Sequence, residues 1–305
     1  MVDLAEVRGR THEVALALNE ARAVLGRVEN LLNEETVDQE LRLRLKDVES
    51  FGRSVGRVSE LEQDAGRKRR AAWETEEPRA VAASDDADAA LGSAFRSSTG
   101  EAGTISARLS EPSKDMARLR DDLRGSSEKL QNAMKHTDAL DRLEGYDGPK
   151  GQLKNVSDVK SIVDEAEKGV SEAAARIESA RTIAARFEQD PPAIKSGDLA
   201  EQITSTRHKL GSELSGAQDR VREVRGSVGR AKADVAKATD QAIGAAVTAK
   251  DAEKAGDELA KNVQAGTTPR PASTQHTQSQ HAESSSQQDL HRRLGGKAQD
   301  SGVQR

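Results

Sequence analysis

The sequence predicts an all-α protein of about five long amphipathic helices, paired as antiparallel helical hairpins in a coiled-coil bundle and followed by a disordered C-terminal tail. Three observations predict it. Apolar residues recur at alternating spacings of three and four, the pattern that keeps one helix face turned to a partner. Charged residues make up 32% of the chain and aromatic residues 2%, a composition for solvated helices with narrow apolar stripes rather than for one large core. Polar or Pro-containing breaks divide the periodic stretches.

The first helix carries Leu4, Val7, Thr11, Val14, Leu18, Ala21, Leu25, Val28 and Leu32 on one face. Asn33-Glu34-Glu35-Thr36 breaks the pattern, with Thr36 as the N-cap of a second helix through Leu41, Leu45, Val48, Phe51, Val55, Val58, Leu61 and Ala65. So short a link between two long helices predicts an antiparallel hairpin over 1–75. Pro78 ends it, because proline cannot continue the hydrogen-bond ladder. Residues 76–112 read as a connector with short helices: Ala83, Ala87, Leu91 and Ala94 make a weak stripe, and Ser97 to Gly103 read as a loop.

Order returns at Pro112, opening a three-helix coiled-coil or bundle region over 113–263. Its first helix carries Met116, Leu119, Leu123, Ser126, Leu130, Ala133, Thr137 and Leu140, and Gly145 to Gly151 read as a turn. The next carries Val156, Val163, Ala166, Val170, Ala173, Ile177, Ala180, Ala184 and Phe187, and stops at Asp190-Pro191-Pro192. Asp198 and Glu201 then fit a capping-box-like start to the last helix. Its seam has no charged residue from Leu210, Leu214, Ala217, Val221, Val224, Val228, Ala231 and Val235 through Ala238, Ala242, Ala245, Ala249, Ala252, Gly256 and Leu259 to Val263. The first half is Leu and Val, and the second is Ala, which buries little area but lets a partner backbone approach closely. At about 1.5 Å per residue this helix outruns its neighbours, so its Ala-rich half is expected to lack an intramolecular partner, which motivates a homo-oligomer. The polar tail 264–305 should be disordered.

The candidate interaction seam is therefore Leu210, Leu214, Val221, Val224, Val228 and Val235, and the candidate basic patch is Arg67, Lys68, Arg69 and Arg70. The patch could grip phosphates, but as a solvated helix end it needs no ligand. There is no cysteine. His12, His136 and His208 lie on different helices, and His276, His281 and His291 sit in the tail without a second shell for a metal. No catalytic residue, cofactor, metal or small-molecule ligand is expected, and the chain is read as not an enzyme.

Trp73, at a helix end beside a turn, resembles the Trp-containing turn of the helical-hairpin substrates of type VII-like secretion. It departs from their pattern in two places: Glu74-Thr75 follow where a Gly would stand two positions on, and Lys150 follows Tyr146 where an acidic residue would stand. The alternative has Trp73 covering the apolar end of a hairpin.

These features predict a non-catalytic, scaffold-like interaction protein, bacterial from its Arg, Ala and Gly usage, with other helical proteins or a second copy as partners. The N-terminus lacks a basic-then-apolar leader and no apolar run spans a membrane, so a cytoplasmic place is expected, with leaderless export open. A leaderless exported effector or secretion helper ranks second. A nucleic-acid-associated coiled coil ranks third, because a net charge of −5 argues against nucleic acid.

Overall fold

The structure, a computed structural model, describes residues 4–33, 36–143, 155–194 and 197–264. Those residues form six helices and no strand: α1 Leu4–Asn33, α2 Thr36–Thr75, α3 Pro78–Arg108, α4 Ser110–Asp141, α5 Asn155–Gln189 and α6 Leu199–Gln264. The chain divides into two units, Met1–Ala255 and Gly256–Arg305. Of the second, only the end of α6 is described. The turn expected at Gly145–Gly151 and the disordered tail expected from 264 lie largely outside the described residues.

The periodic stripes become the core. On α1, Val7, Thr11, Val14, Leu18, Ala21, Leu25, Val28 and Leu32 are all buried. Thr11 is accommodated because its hydroxyl donates to the Val7 and Arg8 carbonyls. On α4 and α5 almost every stripe position is buried, and Phe187 of α5 meets Phe51 and Phe95 edge-on with ring centroids 5.7 and 5.9 Å apart.

The pairing of helices differs from the expected N-terminal hairpin. α1 packs on α4 in antiparallel register, with Arg27 3.3 Å from Asp122 and Lys129 2.6 Å from Glu20. α2 instead pairs with α3, with Asp47 3.3 Å from Arg108 and the Ser54 and Ser98 hydroxyls 2.9 Å apart. α6 runs antiparallel to both α1 and α2 in succession: Leu199 meets Glu62, Arg207 lies over Gly52, Gln218 bonds Asp38, Lys232 pairs with Glu29 and Glu253 with Arg8. One helix read in a single direction fixes α1 and α2 end to end. The hairpins are α2–α3, α4–α5 and α5–α6.

The expected connector is another departure. α3 is a 31-residue helix. Its Ser97-to-Gly103 stretch stays helical because Ser98 is buried against Ser54, Thr99 and Thr104 bond carbonyls one turn back, and Ala102 and Ile105 enter the core. Tertiary packing overrides weak propensity there. α3 yields to α4 at Leu109, since Pro112 has no N–H for the Arg108 carbonyl and would clash with it. The ladder resumes on either side, from Leu109 N–H to Ile105 and from Ser113 N–H to Leu109.

In α6 the seam from Leu210 to Ala242 is buried at every position, Ala245 is half-buried, Ala249 is buried, and Ala252 is exposed. Its Ala-rich half is covered within the chain as far as Ala249, by α1, and not at Ala252 or Gly256. Each fully buried Leu or Val contributes roughly 1.5–3 kcal/mol, and an Ala much less, so the proximal half anchors the helix. Close approach to α5 is allowed by Gly169, where an added Cβ would stand 2.6 Å from Val224 Cγ2.

Candidate functional site

The six seam residues singled out by sequence, Leu210, Leu214, Val221, Val224, Val228 and Val235, all lie in the core of the first unit. They hold α6 to its own chain. What they leave outside is the flanks of α6, and these carry polar links the heptad pattern does not announce.

The most buried of them centres on Asp38, in the first turn of α2. Its side chain is 11% exposed and takes the Gln218 amide of α6 at 2.8 Å, with Arg222 at 3.5 Å and Arg42 also paired to it. Further along α2, Arg44 is buried between Glu40 at 3.2 Å and Asp47 at 2.7 Å, and Asp47 also receives Arg108 from the end of α3. Asp38 lies near the start of α2, and Arg44, Asp47 and Arg108 lie at the level of the Leu109 break. A third link caps α6 from a distance: the Leu199 and Ala200 amides donate to the Glu62 carboxylate at 2.9 and 3.3 Å. A carboxylate there satisfies free first-turn donors and opposes the positive end of the helix dipole.

The basic patch does not act as one surface. Lys68 and Arg67 pair with Asp64 at 2.9 and 3.5 Å, Arg69 lies 3.8 Å from Asp88 of α3 and donates to the Ala65 carbonyl, and only Arg70 has no ion pair among the described residues. The Lys68 hydrogen bond holds the Asp64 carboxyl below its ordinary range. Since α2 runs on to Thr75, the four cations lie inside the helix and not in its last turn.

Trp73 does not cover a hairpin end. It is 81% exposed. The α2–α3 turn beside it places Glu76 at φ 52°, a left-handed conformation that glycine adopts freely and glutamate does not. Sequence reasoning gave Trp73 an apolar surface to cover; the residues around it at the hairpin end, Ala71, Glu74, Glu77 and Arg79, are themselves exposed.

Concave places among the described residues include one of about 140 Å³ between α5 and α6, lined by Lys168, Glu172, Arg220 and Glu223. An open groove of about 490 Å³ between α2 and α6 is lined by Leu45, Val48, Glu49, Arg207, His208, Gly211 and Ser212. A smaller one between α2 and α3, about 150 Å³, holds Glu101 beside Asp47 and Arg108. Burial pushes the Glu101 carboxyl above its ordinary range, and its Oε2 has no hydrogen-bond partner. Among the described residues no three His, Cys, Asp or Glu side chains converge as metal ligands, and no helix is long and apolar enough to cross a membrane. His12, His136 and His208 stay apart, and the tail histidines lie outside the described residues.

Two outcomes follow from this geometry. Asp38→Ala strands the Gln218 amide and should cost about 1–3 kcal/mol in urea melts, whereas replacing Asp38 and Gln218 together by Leu should recover most of it. A raised carboxyl favours the protonated form in the folded state, so Glu101 weakens folding above its raised pKa and not below the unfolded value. Glu101→Gln should therefore stabilise the protein at neutral pH, with the gain vanishing as pH falls through the carboxylate range; an equal gain at all pH values would contradict the assignment.

No family model, curated protein or solved structure matches this chain.

Proposed function

We propose that the chain is a non-catalytic coiled-coil scaffold of the bacterial cytoplasm, binding helical partner proteins through helix faces left over once its own seams are filled. The observation that carries this is where large apolar side chains remain exposed. Among the described residues, four of the six such side chains fall in two places: Trp73 and Val81 flank the α2–α3 turn, and Ile243 and Val247 lie one helical turn apart on α6. Clustered apolar exposure rimmed by charge is the usual mark of a contact surface, while single exposed residues such as Leu16 need no explanation.

A protein partner is favoured over nucleic acid because three of the four cations in the basic patch are already engaged by Asp64 and Asp88. Phosphate contacts would have to displace them.

A photo-crosslinking amino acid placed at Val247 or Trp73, in the cells that make the protein, should give a covalent adduct with a protein of high helical content. The same group at exposed Arg57 should not. Adducts from all three positions alike, or from none, would contradict a scaffold acting through these faces.

A further inference from the structure

We propose that the tip of the α2–α3 hairpin is a docking surface for a second copy of this chain, the two tips meeting about a twofold axis beside Trp73. The inference rests on the scaffold reading and names one of its partners. The tip is an unfinished piece of bundle. α5 ends at Gln189, just past the Phe51–Phe95–Phe187 cluster, and α6 begins where Leu199 meets Glu62. From there to the turn, α2 and α3 continue with no other described helix beside them, which is why Trp73 stands 81% and Val81 44% exposed. Two such sections brought together restore a four-helix cross-section and bury the indoles.

Charge selects the occupant. A twofold interface must be self-complementary, because the same patch supplies both sides of every contact. Before Trp73, Arg70 is the one cation of the basic turn left without an ion pair among the described residues, Arg67, Lys68 and Arg69 being held by Asp64 and Asp88; after it come the carboxylates Glu74, Glu76 and Glu77, also without ion pairs there. Antiparallel tips set Arg70 of one copy against the acidic stretch of the other. A patch of one sign would suit an anionic lipid surface or nucleic acid and would repel its own copy; this one carries both. The left-handed Glu76 adds a second mark on the same turn, since strain of this kind persists where the surroundings or a function require it.

Trp73 is the only tryptophan, so its fluorescence reports the contact directly. Full-length protein followed by emission and sedimentation velocity from about 1 to 300 µM should show the emission moving to the blue as a dimer forms. Arg70→Glu and Glu76→Arg should each weaken the dimer roughly tenfold or more, and an equimolar mixture of the two should restore it. Circular dichroism spectra unchanged in both variants would confirm that folding is intact. A monomer throughout, a dimer that leaves Trp73 solvated, or a dimer insensitive to both variants would overturn the proposal. So would a blue shift seen only on adding phosphatidylserine vesicles. If no dimer forms while Val247 still captures a helical partner, the scaffold reading stands and this one falls.

Discussion

The structure of the first unit depends on the burial of the α6 seam along a single antiparallel track. From Leu210 to Ala242 every seam position is buried, and the flanking contacts keep one register from Glu62 opposite Leu199 to Arg8 opposite Glu253. Apolar burial supplies the affinity of helix for helix, but it is non-directional and would tolerate a shift by one heptad. Register needs contacts that a shift would break. Asp38 with Gln218, Glu62 with the first amides of α6, and Glu29 with Lys232 are such contacts. Each adds little net stability when made and costs more when a buried partner is left alone.

The same track explains why the other helices can be interrupted. α1 ends at Asn33 and α2 begins at Thr36, and α3 gives way to α4 at Leu109, while α6 passes both levels unbroken. The two breaks are not opposite one another: Arg108, at the end of α3, pairs with Asp47, about three turns into α2. Each break is thereby spanned by continuous helix on the facing side. Arg44 and Asp47 occupy the level of the Leu109 break, so polar groups gather where the backbone changes course. Glycine contributes in a specific way at Gly169, which lets α5 approach Val224, at Gly103, over which the Glu188 carboxylate lies, and at Gly52 and Gly216, over which the outer ends of the Arg207 and Arg176 side chains lie.

Helix identity and core face were legible in the sequence because both depend on spacing alone, and the stripes of α1, α4, α5 and the proximal seam of α6 are buried as that spacing requires. Pairing was not legible in the same way. A two-residue link can reverse the chain or carry it onward, and local chemistry at Asn33 to Thr36 does not decide between them. Length does carry the signal: α1 and α2 have 30 and 40 residues, α3 and α4 have 31 and 32, and α6 has 66. A helix nearly as long as two others laid end to end is covered within the chain as far as Ala249, over part of the Ala-rich half that sequence reasoning left open to a second copy. The loop expected at Ser97 to Gly103 failed for a different reason, since hydroxyls that favour turns in isolation bond their own helix when Ala102 and Ile105 are pulled into a core. Of the candidate surfaces, the seam was found but is internal, and the exposed indole was noticed but given a covering role that the hairpin end does not allow.

The end-to-end arrangement of α1 and α2 against α6 is the claim on which the rest turns, and a distance measurement addresses it most directly. The chain has no native cysteine, so spin labels on cysteines introduced at the exposed positions Leu16 and Arg53 can be read without background by pulsed electron paramagnetic resonance. Helices laid end to end predict a separation of roughly 50–60 Å. A distance of roughly 10–20 Å, which neighbouring helices of a hairpin would give, would contradict it.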